Sequence, residues 1–167
     1  MITAHLPAGY LLSRGLKPAP YVVTACLVGS IFPDLDLFWY EFIDHHAVHH
    51  HRYWVHVPLF WAMVLVVALP IVNRFAPQLF RATIAFVCAI FLHIMLDSIA
   101  GGIMWSWPFD DTMTYLFKVP RREGFWLWSF ILHPIFLLEI AIWIAAAFAF
   151  VFWKQVAPKG HPRWLKE

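Results

Sequence analysis

Four apolar runs, residues 21–43, 54–72, 79–100 and 128–153, are each about as long as a helix must be to cross a bilayer. They constrain the fold more than anything else in the chain. Composition agrees: 62% of the residues are hydrophobic, 19% aromatic and only 13% charged, with a mean hydropathy of +0.67. A soluble domain of 167 residues has too little interior to hide that surface. The same numbers exclude intrinsic disorder, and a net charge of only +2 speaks against a nucleic-acid partner. Residues 2–14 form a shorter apolar segment, about half a membrane long. Lys17, Pro18, Ala19 and Pro20 follow it as a turn. The expected fold is therefore an all-α polytopic membrane helical bundle, a single domain over 1–167, with four spanning helices and a short N-terminal helix. Pro33, beside Gly29, Ser30 and two aspartates, should break or kink the first span.

Cys26 and Cys88 both lie in apolar runs, which excludes a disulfide scaffold. Pro7, Gly9 and Arg14 interrupt any signal-peptide core, so the N-terminus is expected to stay in the mature protein. Tryptophans 39, 54, 105, 107, 126, 128 and 153 fall near the expected helix ends, as in an aromatic belt. Arg14, Lys17, Arg74, Arg81, Lys154, Lys159, Arg163 and Lys166, eight cations, fall on one side of this topology. Arg52, Lys118, Arg121 and Arg122, four, fall on the other. The excess places the C-terminus of a multi-pass membrane protein in the cytoplasm. The group at 118–122 reads as a headgroup-contact patch or a solvated loop.

The chemistry gathers at the opposite, outer end. Asp34 and Asp36 close the first span, and His45, His46, His49, His50 and His51 fill the loop after it. His56 opens the second span, His93 and Asp97 close the third, and His133 opens the fourth. His5 joins them if the N-terminal helix starts outside and descends to Lys17. Ionisable groups at membrane depth are costly and face one another or a wet cavity. His93 and Asp97, four apart, share a helix face and offer a nitrogen and an oxygen ligand. Asp34 and Asp36 can point the same way if the backbone between them is extended. His51 and His56 would sit about 140° apart on a regular helix, so His51 is expected in the loop, folded back over the site. Mixed His and Asp ligands suit zinc, manganese or iron better than calcium.

Plainer readings exist for each piece. The aspartates can cap a helix, His133 and His161 can be interfacial anchors, and His45 to His50 can be solvated or hold metal loosely. Glu139, deep in the fourth span, does not share a face with His133; it either pairs with a polar neighbour or is partly exposed.

The motifs resemble the YdjM-like family of bacterial inner-membrane proteins, described as membrane-bound metal-dependent hydrolases. The resemblance rests on Thr3, His5 and Gly9; on Gly29, Ser30, Pro33, Asp34 and Asp36; on His51, Arg52 and His56; on His93 and Asp97; and on Trp107, Pro108 and Phe109. These run in order from residue 3 to 109. The interior of the His-Arg-x3-His element departs from the family: Tyr53, Trp54 and Val55, followed by Val57, replace small residues, threonine and serine. The ligands survive, and the pocket wall is bulkier and lacks a hydroxyl. At a looser level, the pattern is similar to that of zinc-dependent phospholipase C and related helical nucleases.

The resemblance and the ligand set together imply two divalent metals, zinc or else manganese or iron, held by His5, Asp34, Asp36, His51, His56, His93 and Asp97. The expected activity is hydrolysis of a phosphoester or other ester of a lipid or membrane-associated substrate by a metal-activated water. Arg52 is the candidate phosphate-binding residue. Asp110 is the candidate acid, or a carboxylate that orients a ligand histidine. The alternatives are a divalent-metal or proton transporter and a non-catalytic membrane partner protein with a structural metal.

Overall fold

The computed structural model describes residues 3–17, 19–117 and 126–156. Pro18, the basic group Lys118, Arg121 and Arg122, and the tail beyond residue 156 with His161 lie outside the described residues.

The described chain is helical, with one isolated antiparallel bridge between Ile103 and Thr114. α1 (His5–Gly15) runs away from the end that carries the polar residues, and α2 (Val22–Ile31) returns to it. A 3₁₀ turn at Pro33–Leu35 then leads into α3 (Asp36–Phe42), and the chain bends there by 46°. Two further 3₁₀ turns, His50–Arg52 and Trp54–His56, precede α4 (Pro58–Phe75). α5 (Phe80–Ala100) returns to the polar end, followed by loop 101–117, α6 (Trp126–Ile131) and α7 (Phe136–Val156).

Two helical stretches, Pro58–Phe75 and Pro77–Ala100, are long and apolar enough to cross a membrane, and the bent pair Val22–Ile31 with Pro33–Phe42 makes a third if it counts as one span. The expectation of four spanning helices is thus met only in part. The fourth expected span is divided at His133 and Pro134, between α6 and α7. Proline has no amide hydrogen to continue the ladder and disfavours helical backbone in the residue before it. The described apolar part of α7, Phe136–Phe152, is shorter than a span. Proline also moves the start of the second span. Val57 is extended and Pro58 takes the first helical turn, so His56 sits in a turn ahead of α4 and not inside it.

α5 is the central helix. It packs on α2 and α4, α1 lies across α2 and α5, and α7 flanks α1. Trp61, Val87, Ile90, Ile94 and Ile103 form one buried cluster, and Val22, Cys26, Ala85 and Ala89 form another. The second is built from small side chains because α2 and α5 approach closely. A Cβ on Gly29 would strike the Phe86 carbonyl and crowd Ala89. Small residues at a contact let helices in lipid gain dispersion energy that burial alone does not supply there. Large apolar groups face outwards instead: Val66, Phe75, Leu137, Ile144 and Phe148 are all more than half exposed, as lipid contact requires. Trp61 turns its indole N–H inwards to the Val55 carbonyl, 2.8 Å away, and so pins the turn that carries His56.

Gly29→Val should lower the thermal stability of the detergent-solubilised protein by about 1–3 kcal/mol, the usual cost of overpacking. Gly15→Ala is the control, because a Cβ there meets nothing within 4 Å. Equal melting temperatures for the two variants would contradict this packing.

Candidate metal centre

The termini of α1, α2, α4 and α5 bring all seven expected ligands to one end of the bundle. His5, His51, His56, His93 and Asp97 are buried there, with Asp34 and Asp36 at the edge. Asp97 is the hub. Its Oδ1 lies 3.2 Å from His5 Nε2, and its Oδ2 lies 2.9 Å from His93 Nε2, 3.5 Å from His51 Nε2 and 3.8 Å from His56 Nε2. His93 Nε2 is also 3.6 Å from Asp34 Oδ1, and the His5 ring stacks on that of His93 with centroids 3.8 Å apart. One ligand atom from each of Asp34, His56, His93 and Asp97 falls within 4.8 Å of all the others.

Backbone carbonyls set the direction in which two of these rings point. His93 Nδ1 is 2.8 Å from the Ser30 carbonyl, and His51 Nδ1 is 2.9 Å from that of Gly102 and 3.2 Å from that of Gly101. A carbonyl only accepts, so both Nδ1 atoms carry the proton. Their Nε2 atoms are left facing the Asp97 carboxylate. Burial also holds His51 well below the usual imidazole range, against the pull of Asp97, and holds His56 below it against Asp36. Held neutral, His51 and His56 gain no ionic attraction to the carboxylates that they face. A divalent cation among them would be attracted by the nitrogens and the carboxylates alike. Ligand histidines typically donate their far N–H to a carbonyl or carboxylate, as these do. The residues present therefore fit a metal ion.

The aspartates do not act through an extended segment. Pro33 starts a 3₁₀ turn, and the turn sends Asp34 to His93 and Asp36 to His56. Asp36 Oδ2 is 2.9 Å from His56 Nδ1, and its Oδ1 is 3.5 Å from His50 Nδ1. His51 lies in the loop, as expected, with its ring laid over Gly101 so closely that a Cβ at that position would collide with it.

The two residues expected to take part in catalysis stand apart from the hub. Arg52 Nη1 is 3.4 Å from Asp111 Oδ2, and both side chains are exposed. Asp110 Oδ1 accepts from the Thr112 amide at 2.9 Å and hydroxyl at 2.6 Å. Those bonds hold its carboxyl below the usual carboxylate range, the wrong direction for a proton donor. His133 Nδ1 accepts from the Ile135 amide at the α6–α7 break, and His46 pairs with Glu41 at 2.6 Å on the exposed side of the loop. The Tyr53 hydroxyl donates to Asp44, and burial together with that carboxylate pushes the phenol up to about 12.

Sequence reasoning left Glu139 undecided, and the structure gives it a partner. Its carboxylate accepts from the Thr3 amide at 3.1 and 3.3 Å and from the Thr3 hydroxyl at 2.8 Å. Trp143 Nε1 donates to that same hydroxyl oxygen at 3.1 Å. A buried glutamate on α7 thus clamps the segment that carries His5, two residues further on. The orienting carbonyls of Ser30, Gly101 and Gly102 were also missed. The adjacent glycines directly after the His-x3-Asp helix were the available signal, since a backbone can come close only where no side chain intervenes.

This chain belongs to the YdjM inner membrane protein family, whose sequence profile matches residues 1–160. No curated protein and no solved structure matches it.

Glu139→Ala should free the Thr3 segment and weaken divalent-metal affinity by about tenfold or more, the scale on which outer supports act. Glu139→Gln, which keeps an acceptor for Thr3, should lose less. Competition titration against a chelator measures both, and wild-type affinity in the alanine variant would contradict the clamp.

Proposed function

We propose that this membrane protein is a metal-dependent hydrolase that cleaves a phosphoester or other ester of a lipid or membrane-associated substrate. The observation that carries the reading is the set of imidazole Nε2 atoms that converge on the buried carboxylate of Asp97.

Asp34, His56, His93 and Asp97 would hold one ion; His51, on the same Asp97 oxygen as His93, and His5, on the other oxygen, would serve a second that shares Asp97. Zinc suits this donor set, with manganese or iron as alternatives. When bound, such ions supply an ionised water at neutral pH and offset charge on an attacked phosphoryl oxygen. The chain's own residues do the rest. Ser30, Gly101 and Gly102 keep the ligand rings in one tautomer and orientation. The exposed Arg52 at the rim would meet a phosphate oxygen by exchanging its contact with Asp111. Asp110, engaged with Thr112, shapes loop 101–117 and is not assigned the proton.

A lipid substrate is favoured by the surroundings. Trp39, Trp54, Trp105, Trp107 and Trp128 are exposed, and all lie on segments at the site end, where an aromatic belt meets headgroups. The excess of Lys and Arg at the other end favours a site on the periplasmic face of the bacterial inner membrane. Transport fits less well, because Glu139, the acid deep in the fourth expected span, is engaged with Thr3. The competing reading is a structural metal in a non-catalytic partner protein. It is favoured by ligands drawn from α1, the α2–α3 turn, the loop before α4, and α5.

Metal-loaded protein in mixed micelles with phospholipids and other lipid esters should release headgroup or acyl product. Asp97→Asn and His93→Ala should bring turnover to background. Product release that survives both substitutions, or none from metal-loaded wild type on any of these esters, would contradict the hydrolase; in the second case a large fall in melting temperature on chelation would favour the structural metal.

A further inference from the structure

His50 reads in sequence as one more loop histidine, yet it is not solvated. Only 20% of its side chain is exposed, and its ring lies 4.1 Å from that of His51 and 5.4 Å from that of His56 by centroids. Its Nδ1 is buried and lies 3.5 Å from Asp36 Oδ1, and the buried His56 Nδ1 lies 2.9 Å from Asp36 Oδ2. Two buried imidazole nitrogens thus meet the two oxygens of one carboxylate. One ligand atom from each of Asp36, His50 and His56 falls within 4.8 Å of the other two. This triad shares only His56 with the inner set of Asp34, His56, His93 and Asp97. His49 is not in this triad; it groups with His50 and His51 instead, and its Nδ1 accepts the His51 amide, 3.2 Å away, as the cap of the 3₁₀ turn.

Burial differs sharply among these histidines. The side chain of His46 is 53% exposed, that of His50 20% and that of His56 0%. A divalent cation entering a buried site has to exchange its water for protein ligands in steps. We propose that Asp36, His50 and His56 Nδ1 form an outer metal position that receives a divalent cation from water and hands it to the inner set. The inference rests on the inner metal centre proposed above.

His56 is the point of exchange. A neutral imidazole has one lone pair, so it serves one position at a time. With metal on Nδ1, the proton is on Nε2, on the Asp97 side; with metal on Nε2, the proton is on Nδ1, facing Asp36. The ring carries one proton in both states. One is released at Nε2 and one taken up at Nδ1, with no net change. The two positions are therefore successive stations and not simultaneous ones.

The test is uptake of cobalt(II) by chelator-stripped protein in detergent, followed by visible absorbance after rapid mixing, with final cobalt content measured separately. Wild type should load in two phases. His50→Ala and His50→Gln should lose the fast phase and load about tenfold more slowly or worse, the scale on which one metal support acts, to the same final content. His93→Ala should keep the fast phase and end with less cobalt. His50 variants that load at the wild-type rate, or that lose final content at an unchanged rate, overturn the outer position. A wild type that takes up no cobalt overturns the inner centre as well, and the final content tells the two failures apart.

Discussion

A carboxylate that is 99% covered, at the end of a membrane helix, with imidazoles on both of its oxygens, is the constraint on which the rest of this structure depends. An isolated charge in such a place costs several kcal/mol even after relaxation. The imidazoles that meet it offset that cost, and the fold directs effort to that arrangement. Carbonyls of Ser30, Gly101 and Gly102 hold two rings with Nε2 inwards, Trp61 fixes the turn that carries His56, and Glu139 holds the strand of chain that carries His5. Each of these devices suits a cation that the Nε2 atoms and carboxylates could share.

The bundle serves the site through close packing. Gly29 lets α2 lie against α5 beside Phe86 and Ala89, and that approach places the Ser30 carbonyl within reach of His93. Prolines do the opposite work. Pro33 and Pro134 interrupt the helical course at the site end and Pro58 starts a helix there, and the broken backbone is where Asp34, Asp36, His56 and the α6–α7 junction are found. Non-helical backbone at the edge of a membrane protein is tolerated where it is buried in protein or lines a polar site, as here.

Much of this was legible in the sequence because it is written in periodicity and local spacing. The helical class, the pairing of His93 with Asp97 and the place of His51 in the loop all follow from helix geometry. The convergence of seven ligands followed once the runs were given a topology. Other features depend on contacts between distant residues. The Glu139–Thr3 clamp joins residues 136 positions apart, and no local pattern announces it. His50 differs from its neighbours His49 and His46 only in where a 3₁₀ turn points its ring. The division of the last span at Pro134 was visible as a proline, but the length of the apolar run outweighed it. Arg52 shows another limit: its position between two candidate ligand histidines suggested a phosphate contact, and only the structure shows its side chain turned out towards Asp111.

The central claim is that Asp97 and its histidines hold divalent metal, and elemental mass spectrometry of detergent-purified protein tests it most directly. Metal in stoichiometric amount in the wild type, lost in a His93→Ala/Asp97→Ala double variant that stays helical by circular dichroism, is the predicted result. A wild type that holds no metal even after incubation with zinc or manganese would contradict the account and leave the cluster as a polar helix-packing site.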